Sequence, residues 1–417
     1  MSAQTGSPRL TAWDDPAIDA HVAGLLARVV EAVVARLGPE LAGILLSGGF
    51  GRGEGGVLRR ADGSLHVVND FDIELVYREP LGALPSKLRV QLRHRRALRS
   101  LAEALAREFG MKQVDLTLRG QGTLRRRSGR LADFDLQHGH RLLWGEADPC
   151  AAMPRLGASD IAPFEGTWLL RNRGIGLLLA RLYLDRGGLD DAERENFYIE
   201  INKAWLAMGD ALWILAGRYT VRYADRAAAF ETLRGQGFAQ HDALASGYRR
   251  ACEYKLRPVA EPYPGVDAGA LWESTVSLYS GFFLWFESRR LGQRFDALPA
   301  YAGWLDAQPR PTGRSPFRRW IDRHLGITGD CPDALRPLKH DAAASVLCVM
   351  ALLGARMRNS GAQVVLQRWP VAGPPAAAWE ALARGLLALM HPGGEVGRFL
   401  ATGLAQRTLP AEAAEPA

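Results

Sequence analysis

Residues 67–77 read VVNDFDIELVY, a run in which acidic and apolar side chains alternate. Such alternation is typical of a β-strand, because successive side chains of a strand point to opposite faces. Asp70, Asp72 and Glu74 are therefore expected on one face, and the apolar residues between them on the other. Carboxylates so close together repel one another unless a cation lies between them, and oxygen ligands of this kind suit hard divalent metals.

A glycine-rich turn precedes this strand. Residues 47–56 read SGGFGRGEGG and follow a short apolar strand predicted at 41–47. Exposed backbone N–H groups in such a turn form a cradle for phosphate oxygens. Ser47 either binds a phosphate or forms the turn. Arg52 either binds phosphate through its planar fork of donors or pairs with a nearby acid. The turn and the acidic strand together indicate metal-assisted chemistry on a nucleoside triphosphate.

The composition is that of an ordinary globular chain. The 417 residues are 47% hydrophobic and carry a formal net charge of +7, which suits an anionic ligand. No apolar run approaches the ~20 residues of a membrane span, and the polar start lacks a signal core, which predicts a cytoplasmic location without a membrane partner. We expect reduced thiols rather than a zinc site or disulfides, because no CxxC pair occurs. The four cysteines are Cys150, Cys252, Cys331 and Cys348.

The predicted elements divide the chain into two parts. Residues 1–150 carry helix, strand, glycine turn, strand, helix and strand in that order, which predicts a small mixed α/β domain. Residues 151–410 have helical periodicity and are predicted to form an all-α domain, with a subdivision near 300–335. Residues 411–417 are expected to be disordered. The fold class is therefore α/β plus all-α.

A third acid lies on a separate predicted strand. Residues 114–118, VDLTL, alternate in the same way and present Asp115 on one face. A single helix, predicted over Pro85–Phe109, separates this strand from Asp72, so the two strands can be neighbours in a sheet. The carboxylates of Asp70, Asp72 and Asp115 would then meet at one edge.

These features resemble the DNA polymerase β-type nucleotidyltransferase superfamily, especially its bacterial members that modify proteins or small molecules. The family carries a small apolar strand, a glycine pair, an Asp-x-Asp strand and a later third acid. The matching residues here are Leu46, Gly48-Gly49, Asp70-Phe71-Asp72-Ile73 and Asp115. The resemblance covers about residues 40–147. The gap between the glycine pair and the acids is longer than the family's usual spacing, and a hairpin at Asp62-Gly63 is expected to absorb it.

The resemblance also extends to the end of this segment. Residues 133–136, DFDL, followed by 139–145, GHRLLWG, look like the strand, turn and strand that close the domain in such enzymes. We therefore expect Asp133 and Asp135 to be structural.

The resemblance implies a nucleotidyltransferase with two Mg²⁺ ions. Asp70 and Asp72 would bridge both ions, and Asp115 would bind the catalytic one and accept a proton from the attacking hydroxyl. The expected reaction moves a nucleoside monophosphate, with ATP as the expected donor, to a hydroxyl of a small molecule or protein, and releases pyrophosphate. The residues expected to bind the nucleotide are Ser47, Gly48, Gly49, Arg52 and Lys203.

Lys203 enters this set from the helical part of the chain. Lys203 and Asp210 are seven residues apart in 201–213, INKAWLAMGDALW, and so share a helix face. Related enzymes often direct a lysine from the helical domain at the triphosphate. An ion pair inside a helix bundle is the alternative. His138 and His140 are expected to be structural.

Two other functions stay open. A catalytically silent copy of the fold would bind nucleotide as a sensor or partner module. An RNA-directed nucleotidyltransferase would use a basic helix as a polyanion-binding surface, although the chain lacks a recognised RNA module and a solvated helix face is the simpler interpretation. The basic residues of that helix are Lys87, Arg89, Arg93, Arg95, Arg96 and Arg99.

Overall fold

The structure, a computed structural model, describes residues 9–60, 62–78, 84–126, 128–308, 333–339 and 341–390. The chain divides into two compact units, Met1–Asp296 and Ala297–Ala417. The predicted disordered tail at 411–417, Cys331 and most of the predicted subdivision at 300–335 lie outside the described residues.

The described part of the first unit contains six strands. They are β1 Leu41–Leu46, β2 Val57–Arg59, β3 Leu65–Val67, β4 Phe71–Tyr77, β5 Val114–Gly120 and β6 Arg141–Trp144. Four of them form a mixed sheet in the order β5-β4-β1-β6. Strand β1 is antiparallel to β4 and β6, and β5 is parallel to β4. The other two form a hairpin with Gly63 in its turn at φ +82°, so the hairpin predicted at Asp62-Gly63 is confirmed.

Helices make up most of the remaining described chain. Those of the first unit are α1 Pro16–Leu37, α2 Gly48–Gly51, α3 Leu84–Phe109, α4 Gln121–Leu124, α5 Leu131–Gly139, α6 Phe164–Leu184, α7 Asp191–Leu215, α8 Tyr223–Ala228, α9 His241–Leu256 and α10 Ala268–Leu291. After β6 the described residues form no further strand, and the small mixed sheet together with many helices is compatible with the mixed fold class that was predicted. None of the described helices has the combination of length and hydrophobicity that crossing a membrane requires.

The core of the α/β segment lies between one face of the sheet and helices α1 and α3. The side chains of Phe71, Ile73 and Leu75 point into this core. Burial of these alternating residues fixes the register of β4, because a slip by one residue would move the acids into the core. Asp72 and Glu74 consequently lie on the opposite face and are only half-buried.

One predicted strand is a helix. Residues 133–136 belong to α5, although the second predicted strand of that motif is present as β6. The alternating pattern of residues 133–136, DFDL, is too short to distinguish a strand from a helix. The longer segment has helical spacing, because the rings of Phe134 and His138, four residues apart, lie 4.4 Å from each other. The guanidinium of Arg119 in β5 donates a hydrogen bond to Asp133 Oδ1 at 2.8 Å.

The second unit is helical in its described part. Its helices are α11 Leu298–Ala307, α12 Ala342–Arg356, α13 Ser360–Leu366 and α14 Pro375–Met390. The side chain of Asp341 caps α12 by accepting a hydrogen bond from the Ala344 N–H at 2.9 Å. Trp379 of α14 donates a hydrogen bond to the carbonyl of Leu352 in α12 at 2.8 Å, which joins these two helices.

Candidate active site

The three predicted acids lie at one edge of the sheet. Asp72 of β4 stands directly opposite Asp115 of β5 in a parallel, in-register pair. Side chains at paired positions of neighbouring strands share a face and are only about 5 Å apart at the backbone. Asp70 lies immediately before β4 and interacts electrostatically with both carboxylates. The structure therefore brings Asp70, Asp72 and Asp115 together.

The acids form a negatively charged cluster. Burial and the neighbouring charges of Asp70 and Asp115 raise the pKa of Asp72 to about 6, although Lys255 and Arg52 oppose this effect. The pKa of Asp115 is also raised, mainly by burial and also by Asp70, despite a hydrogen bond from Gln113. Both shifts favour the protonated form of the acid, first because of burial and then because of the neighbouring acids.

The glycine turn meets this cluster. Gly48 has φ +63°, and a Cβ atom there would lie 1.9 Å from Asp72 Oδ2. The N–H of Ser47 donates to the carbonyl of Asp72 at 2.8 Å, and the Ser47 hydroxyl donates to the same oxygen at 3.1 Å. Ser47 thus joins the end of β1 to the start of β4, which is a turn-forming role. Gly49 lies in the same turn, within α2.

The hairpin between the turn and β4 accounts for the long spacing between the glycine pair and the acids. The chain leaves the turn to form β2 and β3 and then comes back to it. There the Gly56 N–H donates to Asn69 Oδ1 at 2.8 Å, and the Val68 N–H donates to the Gly56 carbonyl at 3.1 Å. Asp70 follows directly. The extra residues therefore leave the turn and the acids adjacent.

Arg52 is buried beside the turn. Its guanidinium lies 3.8 Å from Glu54 and 3.7 Å from Asp135, and it packs on the ring of Tyr223 at 5.5 Å. Burial by itself would lower the pKa of Arg52, but Asp135, Tyr223 and Tyr219 together outweigh burial and the pKa is raised. Its electrostatic effects on Asp72 and Lys255 show that it belongs to the same site.

Glu74, the next acid on the same face of β4, is engaged elsewhere. Arg119 donates to it at 3.0 and 3.3 Å, and also to Asp133 at 2.8 Å. Glu74 therefore belongs to a structural ion-pair network under α5, which separates it from the cluster at Asp72.

The helical segment contributes two lysines. Lys203 of α7 forms an ion pair with Glu200, one turn earlier, at 3.1 Å, whereas Asp210 pairs with Arg226 at 3.0 Å. Lys255, near the end of α9, was not predicted. Burial, with the positive charges of Lys203 and Arg52, lowers the pKa of Lys255 to about 8, while Asp72 and Asp70 act in the opposite direction. Lys255 thus lies among the cations and acids of the site.

Lys255 was missed because the helical domain predicted over 151–410 was not resolved into a helix at His241–Leu256. The buried residues Leu244, Tyr248, Ala251 and Cys252 of α9 have helical spacing. That spacing is a usable signal, but the segment also contains Gly247 and several charged residues, which obscure the apolar stripe. Only the packing of α9 against the rest of the unit shows where Lys255 lies.

A compact group of potential metal ligands lies elsewhere in the described residues, and Asp70, Asp72 and Asp115 do not form a group of this spacing. Ligand atoms of His140, Asp148 and Cys150 lie within 4.8 Å of one another. Both ring nitrogens of His140 already contact protein oxygens, Asp148 Oδ2 at 3.0 Å and the Leu136 carbonyl at 2.6 Å. Burial raises the pKa of the Cys150 thiol to about 12, which opposes the thiolate that a metal needs. This group is accounted for by its protein contacts.

The basic helix is only partly described. The side chains of Lys87, Arg89 and Arg95 lie outside the described residues. Three further basic side chains of α3 are exposed; they are Arg93, Arg96 and Arg99.

Comparisons with protein-family models, with curated proteins and with solved structures found no match to this chain. Three adjacent carboxylates are a hard-oxygen ligand set for divalent cations, and the turn beside them offers backbone N–H groups to an anion.

Proposed function

We propose that the protein is a Mg²⁺-dependent nucleotidyltransferase that moves a nucleoside monophosphate, from ATP as the expected donor, to a hydroxyl group and releases pyrophosphate. The observation that carries this proposal is the meeting of Asp70, Asp72, Asp115 and the Gly48 turn at one edge of the sheet. The resemblance of these residues to the nucleotidyltransferase motif supports the same conclusion.

The residues fit the metal that this chemistry needs. Asp70, Asp72 and Asp115 are the residues that would hold Mg²⁺, because burial and the charges of Asp70 and Asp115 make the ionised Asp72 unfavourable and a bound cation would offset this. When bound, Mg²⁺ would polarise the α-phosphate and neutralise the leaving pyrophosphate.

The other residues of the site bind and orient the substrates in this proposal. The turn at Gly48 and Gly49 receives phosphate oxygens through its backbone N–H groups. Lys255, Lys203 and Arg52 supply positive charge to the triphosphate. Asp115 accepts the proton of the acceptor hydroxyl. Positioning and electrostatic stabilisation thus account for the catalysis, as expected for transfer at phosphorus.

The test uses ATP labelled at the α-phosphate, Mg²⁺ and pools of small-molecule and protein hydroxyl acceptors. We expect the label to appear on an acceptor with stoichiometric release of pyrophosphate, and a double variant, Asp70→Asn with Asp72→Asn, to abolish both. Binding of Mg-ATP by the wild type without pyrophosphate release from any pool would favour a silent sensor and contradict the enzyme.

A second arm addresses the RNA-directed alternative. Transfer to RNA that falls steeply with salt, and that is lost when the exposed Arg93, Arg96 and Arg99 are replaced by alanine, would assign RNA as the acceptor. Transfer to a small molecule or protein that is unchanged in this triple variant would exclude it.

A further inference from the structure

Glu54, inside the glycine turn, is a buried carboxylate without a role in the proposed chemistry. It is 1% exposed. Its two oxygens accept hydrogen bonds from the first N–H groups of α8, from Tyr223 at 2.9 Å and from Ala224 at 3.1 Å. Arg222, at the N-cap position of α8, makes no side-chain capping bond. Glu54 therefore caps a helix that lies 169 residues later in the chain.

Helix α8 is joined in turn to α7 and α9 through Arg226. The buried guanidinium of Arg226 lies 3.0 Å from Asp210 of α7 and donates to the hydroxyl of Tyr248 in α9 at 2.9 Å. The Tyr248 hydroxyl donates to Asp210 at 2.7 Å. The rings of Tyr219 and Tyr223 pack on the guanidinium at 4.5 and 4.2 Å. The three helices thus share one buried charged cluster.

Helix α9 leads back to the glycine segment. Lys255 lies seven residues after Tyr248, which is nearly two turns and the same helix face. The carbonyl oxygen of Lys255 is 2.9 Å from the position that a Cβ of Gly56 would take. A path of contacts therefore runs from Glu54 through α8 and Arg226 to Tyr248, and along α9 to Lys255, which interacts electrostatically with Asp72 and Asp70.

We propose that Glu54 is a positioning residue that, by capping α8, holds α9 and therefore Lys255 against the phosphate-binding turn. Replacing this carboxylate by an amide would leave one of the two backbone N–H groups facing an NH₂ donor instead of an acceptor. It would also remove the negative charge between Arg52 at 3.8 Å and Arg222 at 3.9 Å. Because the group is buried, water does not replace these interactions. The functional part of this inference rests on the proposed function, in which Lys255 binds the triphosphate.

The structural link is tested first, without any substrate, by hydrogen–deuterium exchange of the full chain. Glu54→Gln is expected to accelerate exchange at 223–228 and also at the end of α9, at 250–256, by about tenfold, since local stability sets the exchange rate. The control is Asp225→Asn, because Asp225 is an exposed acid of the same helix that lies 4.0 Å from Arg222; it should leave α9 unchanged. Acceleration confined to 223–224 would overturn the inference.

A second variant covers the case in which Glu54→Gln does not fold. Tyr248→Phe removes the hydroxyl that joins α8 to α9 and keeps the ring. We expect it to accelerate exchange at 250–256 while leaving the glycine turn protected. Unchanged exchange at 250–256 in this variant would also contradict the path.

The functional link is tested by a double-mutant cycle on Mg-ATP binding. Glu54→Gln should weaken binding about tenfold in the wild-type background and less than about twofold in a Lys255→Met background, since the two changes act on one contact. An equal loss in both backgrounds would show that Glu54 does not act through Lys255. If the wild type does not bind Mg-ATP while the exchange pattern at α9 is as expected, the proposed function fails and the structural link stands.

Discussion

At the scale of single residues, Asp72 carries a charge that is unfavourable for the metal-free fold. Burial and the charges of Asp70 and Asp115 raise its pKa from 3.8 to about 6. The folded state therefore holds the proton more tightly than the unfolded state does. Stability falls as the pH rises from about 4 to about 6, and it stays lower above that range. The acid is consequently expected to reduce stability at neutral pH until a cation is bound.

We predict that Asp72→Asn raises the melting temperature in EDTA at pH 7.5 by a few degrees, because a shift of this size corresponds to an upper bound of about 3 kcal/mol. The gain should shrink as the pH falls from about 6 towards 4, where the wild-type acid becomes protonated. Mg²⁺ should stabilise the wild type and not the variant. Transfer activity should fall at least about a thousandfold, since several kcal/mol of transition-state stabilisation are lost. Differential scanning fluorimetry and pyrophosphate release measure these changes.

Glu74→Gln is the matched control, two residues further along the same face of β4. Glu74 accepts hydrogen bonds from Arg119, so its replacement should destabilise the protein by about 1–3 kcal/mol. Stability should therefore rise for Asp72→Asn and fall for Glu74→Gln, because Asp72 lies near other acids whereas Glu74 pairs with an arginine. A lower melting temperature for Asp72→Asn in EDTA would contradict the charge cluster.

Lys255 is expected to give the site its pH dependence above neutrality. Its pKa of about 8 results from burial and from the positive charges of Lys203 and Arg52. Because only the charged amine attracts phosphate, Mg-ATP binding should be up to about tenfold weaker at pH 9 than at pH 7. Titration of the wild type with Mg-ATP across this range measures the effect.

Two substitutions at this position separate charge from shape. Lys255→Arg keeps the charge and should make Mg-ATP binding nearly independent of pH, since an arginine stays protonated. Lys255→Met should weaken binding about 10- to 100-fold at pH 7, the usual size of a charge-assisted hydrogen bond. Tight binding by Lys255→Met would show that the triphosphate does not reach this residue.

At the scale of elements, the glycine turn is shaped by contact with β4 as well as by backbone conformation. Gly48 and Gly63 both have a positive φ, +63° and +82°. A Cβ atom at Gly48 would collide with Asp72 Oδ2 at 1.9 Å, whereas nothing lies within 4 Å of a Cβ atom at Gly63. Comparing alanine variants at these two glycines therefore separates the effect of backbone strain from that of a steric collision.

We predict that both alanine variants lose about 1–2 kcal/mol of stability, the usual strain of a left-handed residue. Gly48→Ala should lose more and should reduce pyrophosphate release at least about a hundredfold, because Asp72 is displaced. Gly63→Ala should keep full activity. Chemical denaturation and the transfer assay provide the measurements, and equal activity of the two variants would refute a functional contact at Gly48.

The elements differ in how far the residue pattern predicted them. Strand β4, the hairpin at Gly63 and helix α3 follow from alternation, turn residues and periodicity, which are local signals. The strand predicted at residues 133–136 was wrong. Four alternating residues do not distinguish a strand from a helix that buries the same apolar positions. Helix α9 was not delineated within the predicted helical domain, because its apolar stripe is narrow and interrupted by charged residues.

At the scale of the whole molecule, contacts between distant segments hold the first unit together. Glu195 of α7 lies 3.1 Å from Lys112, which precedes β5, and 3.6 Å from His66 of β3. Burial alone would raise the pKa of Glu195, but His66 and Lys112 outweigh it and lower the pKa to about 2. Because the folded pKa is below the usual 4.5, the stability from this link is present above about pH 4.5 and is lost as the pH falls towards 2.

We predict that Glu195→Gln destabilises the protein by about 2 kcal/mol at pH 7 and by much less at pH 3. Urea midpoints of the variant and the wild type, compared between pH 7 and pH 3, measure this difference. Glu193→Gln, in the first turn of the same helix, serves as the comparison, because it leaves the contacts of Glu195 with His66 and Lys112 intact. A constant difference between Glu195→Gln and wild type at every pH would contradict this account.

The local order of residues was sufficient to specify the acidic strand, the later strand with the third acid, the helix between them and the glycine turn, because each has a short-range pattern. The register that sets Asp72 beside Asp115, the contact of Gly48 with Asp72 and the arrival of Lys255 from α9 depended on packing over long distances in the chain. A single sequence has no periodic signal for such contacts, since they arise only when the cores on both sides of the sheet are closed.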